Sequence, residues 1–265
     1  MKYAKIAVAL LVIAPAASFA ARAWLLPSQT IVARNGGWVT FDAANSDDLF
    51  SFNQGAMPVD SLSVNGVDGA PVAPQNVARG KTRSSFDLEL RAPGTYRVAI
   101  AGDMVMARWE EGGKQKRWRG TPAEMAANIP TNAARLELEQ VQRRVETFVT
   151  VGSPSDVKPV GAGLELVPVR HPNDLYAGEA ARFRFLLDGK PASDLPVEII
   201  AGGTRYRDAP AAVELKTDAD GMITVTWPAT GLYWLDAEVK DENATVPGVK
   251  KRTSAYNATL EVLPQ

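Results

Sequence analysis

Ala92-Pro93-Gly94-Thr95-Tyr96-Arg97-Val98-Ala99-Ile100 returns in altered form as Ala229-Thr230-Gly231-Leu232-Tyr233-Trp234-Leu235-Asp236-Ala237. Both stretches enter an alternating run through Gly-x-Tyr. Apolar and polar side chains that alternate with period two mark a half-buried strand. In β-sandwiches a Tyr near the start of a late strand fills the core with its ring and fastens a loop corner with its hydroxyl. Two such corners, one in each half of the chain, suggest two sandwiches, the alternative being a single long, irregular sandwich with a helical insertion.

The same pattern recurs in Trp38 to Phe41, Ser85 to Leu90, Met104 to Trp109, Leu136 to Val151, Gly163 to Val169, Ala181 to Leu187, Ile223 to Trp227 and Ala255 to Val262. Asn65-Gly66, Gly112-Gly113, Asp188-Gly189 and Asp220-Gly221 separate these runs and tolerate the positive φ that hairpin turns need. One short helix is expected. Thr121-Pro122-Ala123-Glu124 has capping-box spacing with Pro at the first helical position, and Met125 to Asn128 continues until Pro130. The fold class is therefore all-β, with two Ig-like or transthyretin-like sandwiches in tandem and the helix in the first. Gly152-Ser153-Pro154-Ser155-Asp156-Val157-Lys158-Pro159 has linker composition. The expected division is residues 21–152, a linker over 153–162, and residues 163–265.

Residues 1–20 read as a cleaved export signal. Lys2 and Lys5 precede an apolar run from Ile6 to Ala17, too short to span a bilayer core of ~30 Å, and Ser18-Phe19-Ala20 supplies the small residues that signal peptidase reads. The expected location is the periplasm, without stable membrane insertion after cleavage. The chain has no Cys, so thiol nucleophiles, thiolate metal sites and a lipoprotein anchor are excluded. The formal net charge is −1, and loss of Lys2 and Lys5 takes it to −3. Such a balance argues against a nucleic-acid binder.

Candidate chemistry is sparse. His171 is the only histidine, in the turn-like Arg170-His171-Pro172-Asn173-Asp174, and no Gly-x-Ser-x-Gly elbow accompanies it. No catalytic residue is assigned, and the protein is expected not to be an enzyme. Any divalent metal would be held weakly, by His171 with Asp174 and Glu179, and no cofactor is expected. Asp218-Ala219-Asp220-Gly221 lacks the further acids of an EF-hand loop and reads as a hairpin turn. Asp47-Asp48 reads either as a solvated turn or as part of an oxygen-rich cation site. The segment Trp109 to Gly120 reads as a hairpin, either merely solvated or an aromatic and cationic surface for an anionic or sugar ligand or a partner. Its candidate residues are Trp109, Lys116, Arg117, Trp118 and Arg119; Arg205, Tyr206 and Arg207 pose the same choice in the second half.

Trp24-Leu25-Leu26-Pro27-Ser28, Ser46-Asp47-Asp48-Leu49-Phe50, Lys116 to Thr121, Arg143 to Phe148, His171 to Leu175, Gly202 to Arg207 and Thr217 to Gly221 together resemble the exported family DUF4198, or NikM-like. The later segments Asp188-Gly189-Lys190-Pro191 and Gly231-Leu232-Tyr233-Trp234 resemble the carboxypeptidase-regulatory or transthyretin-like sandwich pattern. The family resemblance implies an accessory role in cobalt or nickel uptake, with an envelope protein or transporter component as partner. It also implies a His at the mature N-terminus and another after the Leu-Phe segment, where this chain has Ala21 and Gln54. The alternative function is an envelope module that binds a sugar, peptide or protein and has no metal role.

Overall fold

The computed structural model describes residues 21–265; the expected signal, residues 1–20, lies outside the described residues. The first half supplies strands β1 (Arg22–Pro27), β2 (Ile31–Val32), β3 (Gly37–Ser46), β4 (Gly55–Ala56), β5 (Leu62–Asn65), β6 (Gln75–Arg79), β7 (Ser84–Leu90), β8 (Gly94–Glu111), β9 (Lys114–Gly120) and β10 (Ala134–Val151), with helix α1 (Met125–Asn128) between the last two. The second half supplies β11 (Leu164–Pro168), β12 (Ala180–Leu187), β13 (Lys190–Pro191), β14 (Pro196–Ala201), β15 (Val213–Lys216), β16 (Met222–Thr226), β17 (Gly231–Asp241) and β18 (Lys251–Val262). The all-β expectation holds. Glu124 Oε2 accepts the Thr121 backbone N–H at 2.8 Å and its hydroxyl at 2.9 Å, so the expected cap starts the short helical segment.

Three sheets are stacked. The central one has nine strands, in the order β15-β14-β17-β18-β10-β8-β5 with β2 on β10 and β9 on β8. A five-stranded sheet of β1, β3, β4, β6 and β7 covers one face, and a four-stranded sheet of β11, β12, β13 and β16 covers the other. Alternation along the central strands sends neighbouring side chains into different cores. Val145, Val149 and Val151 of β10 pack with Phe41, Phe86 and Leu88, while Phe148 between them packs with Phe183, Phe185 and Trp227. Covered on both faces, Val145 to Val151 and Arg252 to Leu260 contain no exposed residue. Burial of each large apolar side chain contributes about 1.5–3 kcal/mol.

The two expected cores are present, and they share this central sheet. β10, from the first half, pairs in parallel with β18 from Glu139 opposite Lys251 to Thr147 opposite Thr259. A third cluster of Trp24, Ala44, Leu49, Ile200 and Trp234 joins the halves on the far side, where the Trp234 indole donates to Ala23 O at 2.9 Å.

Three local expectations need correction. Tyr96 to Ile100 and Met104 to Trp109 are one strand, because Gly102 and Asp103 stay paired with Arg143 and Gln142 of β10 instead of turning. The Asp218 to Gly221 turn is not a hairpin: it carries the chain from β15 in the central sheet to β16 in the outer one. Residues 153–162 form no strand, as expected, yet they are fastened along their length. Ser155 N donates to Thr95 Oγ1 at 3.1 Å, Lys158 O accepts from Arg97, and Val160 N and Gly161 N donate to Glu165 at 2.6 and 2.7 Å.

Candidate functional site

The Trp109 to Gly120 hairpin forms as expected. Gly112 and Gly113 take φ of 57° and 74°, the left-handed pair that closes a two-residue turn between twisted strands. Its register puts Glu111 opposite Lys114, Trp109 opposite Lys116, Arg108 opposite Arg117 and Ala107 opposite Trp118. Opposed residues share a face, so the predicted surface is split in two. Trp109, Lys116 and Trp118 lie on one face, where Trp118 packs against Val105, Val246 and Val249. Arg117 and Arg119 lie on the other with Arg108, all three exposed. Glu110 pairs with Arg135 at 2.9 Å and Glu111 with Lys116 at 3.5 Å, which among the described residues leaves the three arginines and Lys114 without an ion pair.

Arg205, Tyr206 and Arg207 sit on a separate element, the turn after β14. Leu49 N donates to Thr204 Oγ1 at 2.8 Å and anchors this turn to the Asp47 loop. The Arg207 guanidinium donates to Ala201 O at 2.6 Å and to Pro210 O at 3.1 Å, while Tyr206 is 87% exposed.

His171 is committed to a closed ring of hydrogen bonds. Its Nδ1 accepts the Asn173 N–H at 3.1 Å, so the proton is on Nε2, which donates to Thr95 Oγ1 at 2.9 Å. Thr95 is 3.1 Å from Thr150 Oγ1, and Thr150 donates to Asn173 Oδ1 at 3.0 Å. Burial holds the imidazole below its ordinary pKa, against a backbone hydrogen bond with Ser155 and the charges of Asp174 and Asp156. Asp174 and Glu179 turn to Arg170 instead, at 3.0 and 3.2 Å. The three suggested metal ligands are therefore not assembled around one point, and among the described residues no cluster of three His, Cys, Asp or Glu is placed to hold an ion.

The Asp47 loop is also tied to itself. Gln54 donates to Asp47 Oδ1 at 2.5 Å, Asn53 to Asp48 Oδ2 at 3.1 Å, and Arg22 to Asp47 O at 2.8 Å. Asp218 caps its own turn by accepting from Asp220 N and Met222 N at 2.9 and 2.8 Å.

One buried constellation was not anticipated. Arg97, 6% exposed, forks onto fully buried Glu146 at 3.0 and 3.2 Å and donates to Lys158 O and Leu166 O at 2.9 and 3.3 Å. Tyr256 donates to Glu146 at 2.5 Å, and burial raises its hydroxyl well above the usual range, so it remains a donor. A cleft of about 530 Å³ opens above it, lined by residues that include Asp68, Thr95, Arg97, Asp156 and Lys158. The signal was in the strand period: Arg97 follows core Tyr96 and must face the other way, and Glu146 interrupts an apolar run.

The family match covers residues 18–241 and carries the description "Domain of unknown function (DUF4198)". The chain belongs to that family. No curated protein matches it. Among solved structures it is similar to the D0–D1 domain of intimin, at 13% identity over 90% of this chain and 97% of that one, with a TM-score of 0.23. It is similar also to the human OSCAR ligand-binding domain, at 15% identity over 91% and 97% with a TM-score of 0.22. Trypsin-activated alpha-2-macroglobulin from Escherichia coli shares 14% identity over 96% of this chain and 16% of its own, with a TM-score of 0.22. None of these likenesses carries an argument about what this DUF4198 member does. Among the described residues no helix is long and apolar enough to cross a membrane.

Proposed function

We propose that this DUF4198 protein is a non-enzymatic binding module of the cell envelope, exported through its N-terminal signal, and that it engages a protein partner through the β8–β9 hairpin. One observation carries the reading. The hairpin presents Arg108, Arg117 and Arg119 on one exposed face, with Arg108 directly opposite Arg117 and, among the described residues, neither in an ion pair. Like charges directly opposed across two strands destabilise them. Arg97, Arg170 and Arg252, by contrast, are all held in ion pairs. Native electrophoresis of gently solubilised envelope tests this. Wild-type protein should migrate in a complex and the Arg117→Glu/Arg119→Glu double variant as free protein; equal migration of the two would overturn the reading.

A second reading, an accessory role in nickel or cobalt uptake, is favoured by one observation. Ala21 and Gln54 are where the family resemblance implies histidines; Arg22, next to Ala21, holds Asp47 O, and Gln54 holds Asp47 Oδ1. The donor set does not fit a tight Ni²⁺ or Co²⁺ site, since neither position carries an imidazole and the carboxylates are engaged with Gln54 and Asn53. Titration of tag-free mature protein with Ni²⁺ should give weak binding or none. Micromolar or tighter affinity would revive this reading.

A further inference from the structure

β9 is an edge strand. It pairs with β8 alone, and among the described residues no strand pairs with the outer side of Lys114–Gly120. Unpaired N–H and C=O groups along such an edge are a template for one more strand. The residues on this edge fix the chemistry of what it accepts. Lys114 and Lys116 project to one face and Arg117 and Arg119 to the other, so an added strand meets cations on both of its faces. Arg108 stands one strand further in, opposite Arg117. Glu137 of β10 lies opposite Arg108 without forming an ion pair with it, so these guanidinium groups retain their capacity for carboxylates. The mature chain carries a formal charge of −3, so the basic edge is a local feature of an acidic protein.

We propose that the outer edge of β9 receives an acidic, extended segment of a partner protein as an additional strand, with Lys114, Arg117 and Arg119 pairing its carboxylates. The proposal rests on the reading of the hairpin as a partner surface and specifies how that surface binds. Backbone ladder bonds hold the segment, and the alternating cations select carboxylates on either face. The same cations repel a second copy of the edge, which keeps the free protein from pairing with itself.

The probe is a fluorescein-labelled ten-residue peptide alternating Glu and Val, titrated into the mature protein at low salt and read by anisotropy. Saturable binding is expected, at least tenfold weaker for Arg117→Glu/Arg119→Glu, whose unchanged melting temperature shows that it folds. Methylation of alternate backbone nitrogens along the peptide edge facing β9 should weaken binding at least tenfold, because it removes ladder donors and leaves every charge. Absence of saturable binding would overturn the proposal, as would binding indifferent to N-methylation, which would mean charge attraction alone. So would self-association of the double variant with no peptide binding by the wild type, the signature of a purely protective edge. If the wild type still runs in its envelope complex while the peptide fails, strand addition is wrong and the hairpin reading stands.

Discussion

Tyr96 and Tyr233 make the same closure in the two halves of the chain. Each phenol donates to the carbonyl four residues upstream, Tyr96 to Ala92 at 3.0 Å and Tyr233 to Ala229 at 2.8 Å, and each accepts the N–H of that same residue. Gly94 and Gly231, two residues before each Tyr, take φ of 128° and 130°. Removing either hydroxyl leaves a partly buried carbonyl unsatisfied while the ring remains. Tyr96→Phe and Tyr233→Phe should each destabilise by about 1–2 kcal/mol. Denaturant melts check this, and a change below about 0.3 kcal/mol in both would deny the corners a structural role.

Arg97 and Glu146 should behave as a unit. Losing one partner leaves the other buried charge with only a looser contact, Arg144 at 3.5 Å from Glu146 or Glu165 at 3.9 Å from Arg97, at a cost of up to about 3–5 kcal/mol, whereas replacing both with apolar groups is often nearly neutral. Arg97→Met and Glu146→Leu should therefore each destabilise strongly, and the double variant less than either. A double variant as unstable as the sum of the singles would contradict the pairing seen at 3.0 Å.

His171 gives stability a pH dependence of known sign. Its folded pKa lies below the unfolded value of about 6.5, so its contribution is complete above that pH and is lost as pH falls through the folded pKa. Protonated, Nδ1 would face the Asn173 N–H donor to donor. Asp236 acts in the opposite sense. Burial raises its carboxyl to about 6, against the hydrogen bond from Asn257, so its contribution is complete below the unfolded carboxylate range and is lost as pH rises through about 6. The wild-type profile mixes the two effects, but the difference between wild type and His171→Gln isolates the first. That difference should shrink from about pH 7.5 to about pH 5; a constant difference would show that the imidazole does not titrate with folding.

The parallel pairing of β10 with β18 sets the fate of an isolated second half. Residues 161–265 alone would lose Phe148 from their core and bare one edge of β18 along Lys251 to Thr259. The fragment should therefore self-associate or melt without cooperativity. A monomeric fragment with a sharp melt would show that the halves are separate folding units.

Both Tyr corners, the capping box and the Gly-Gly hairpin were legible because each depends on residues within four or five positions of one another. The shared sheet was not. A strand covered on both faces loses its alternation, and nothing in Val145 to Val151 says that its neighbour is Asn257 rather than a strand of the same half. The split of the hairpin surface was latent in the strand period, since Arg117 and Trp118 must face opposite ways. The engagement of His171 with Thr95, 76 residues away, required the fold.

The most direct measurement is site-specific photo-crosslinking in intact cells. A photoreactive residue at Gln115, exposed on the arginine face of the hairpin, is compared with one at Lys190, exposed in the outer sheet. Position 115 should give a discrete adduct of defined mass, abolished by Arg117→Glu/Arg119→Glu, and position 190 none. No adduct at 115, or the same adducts from both positions, would contradict partner binding through the hairpin.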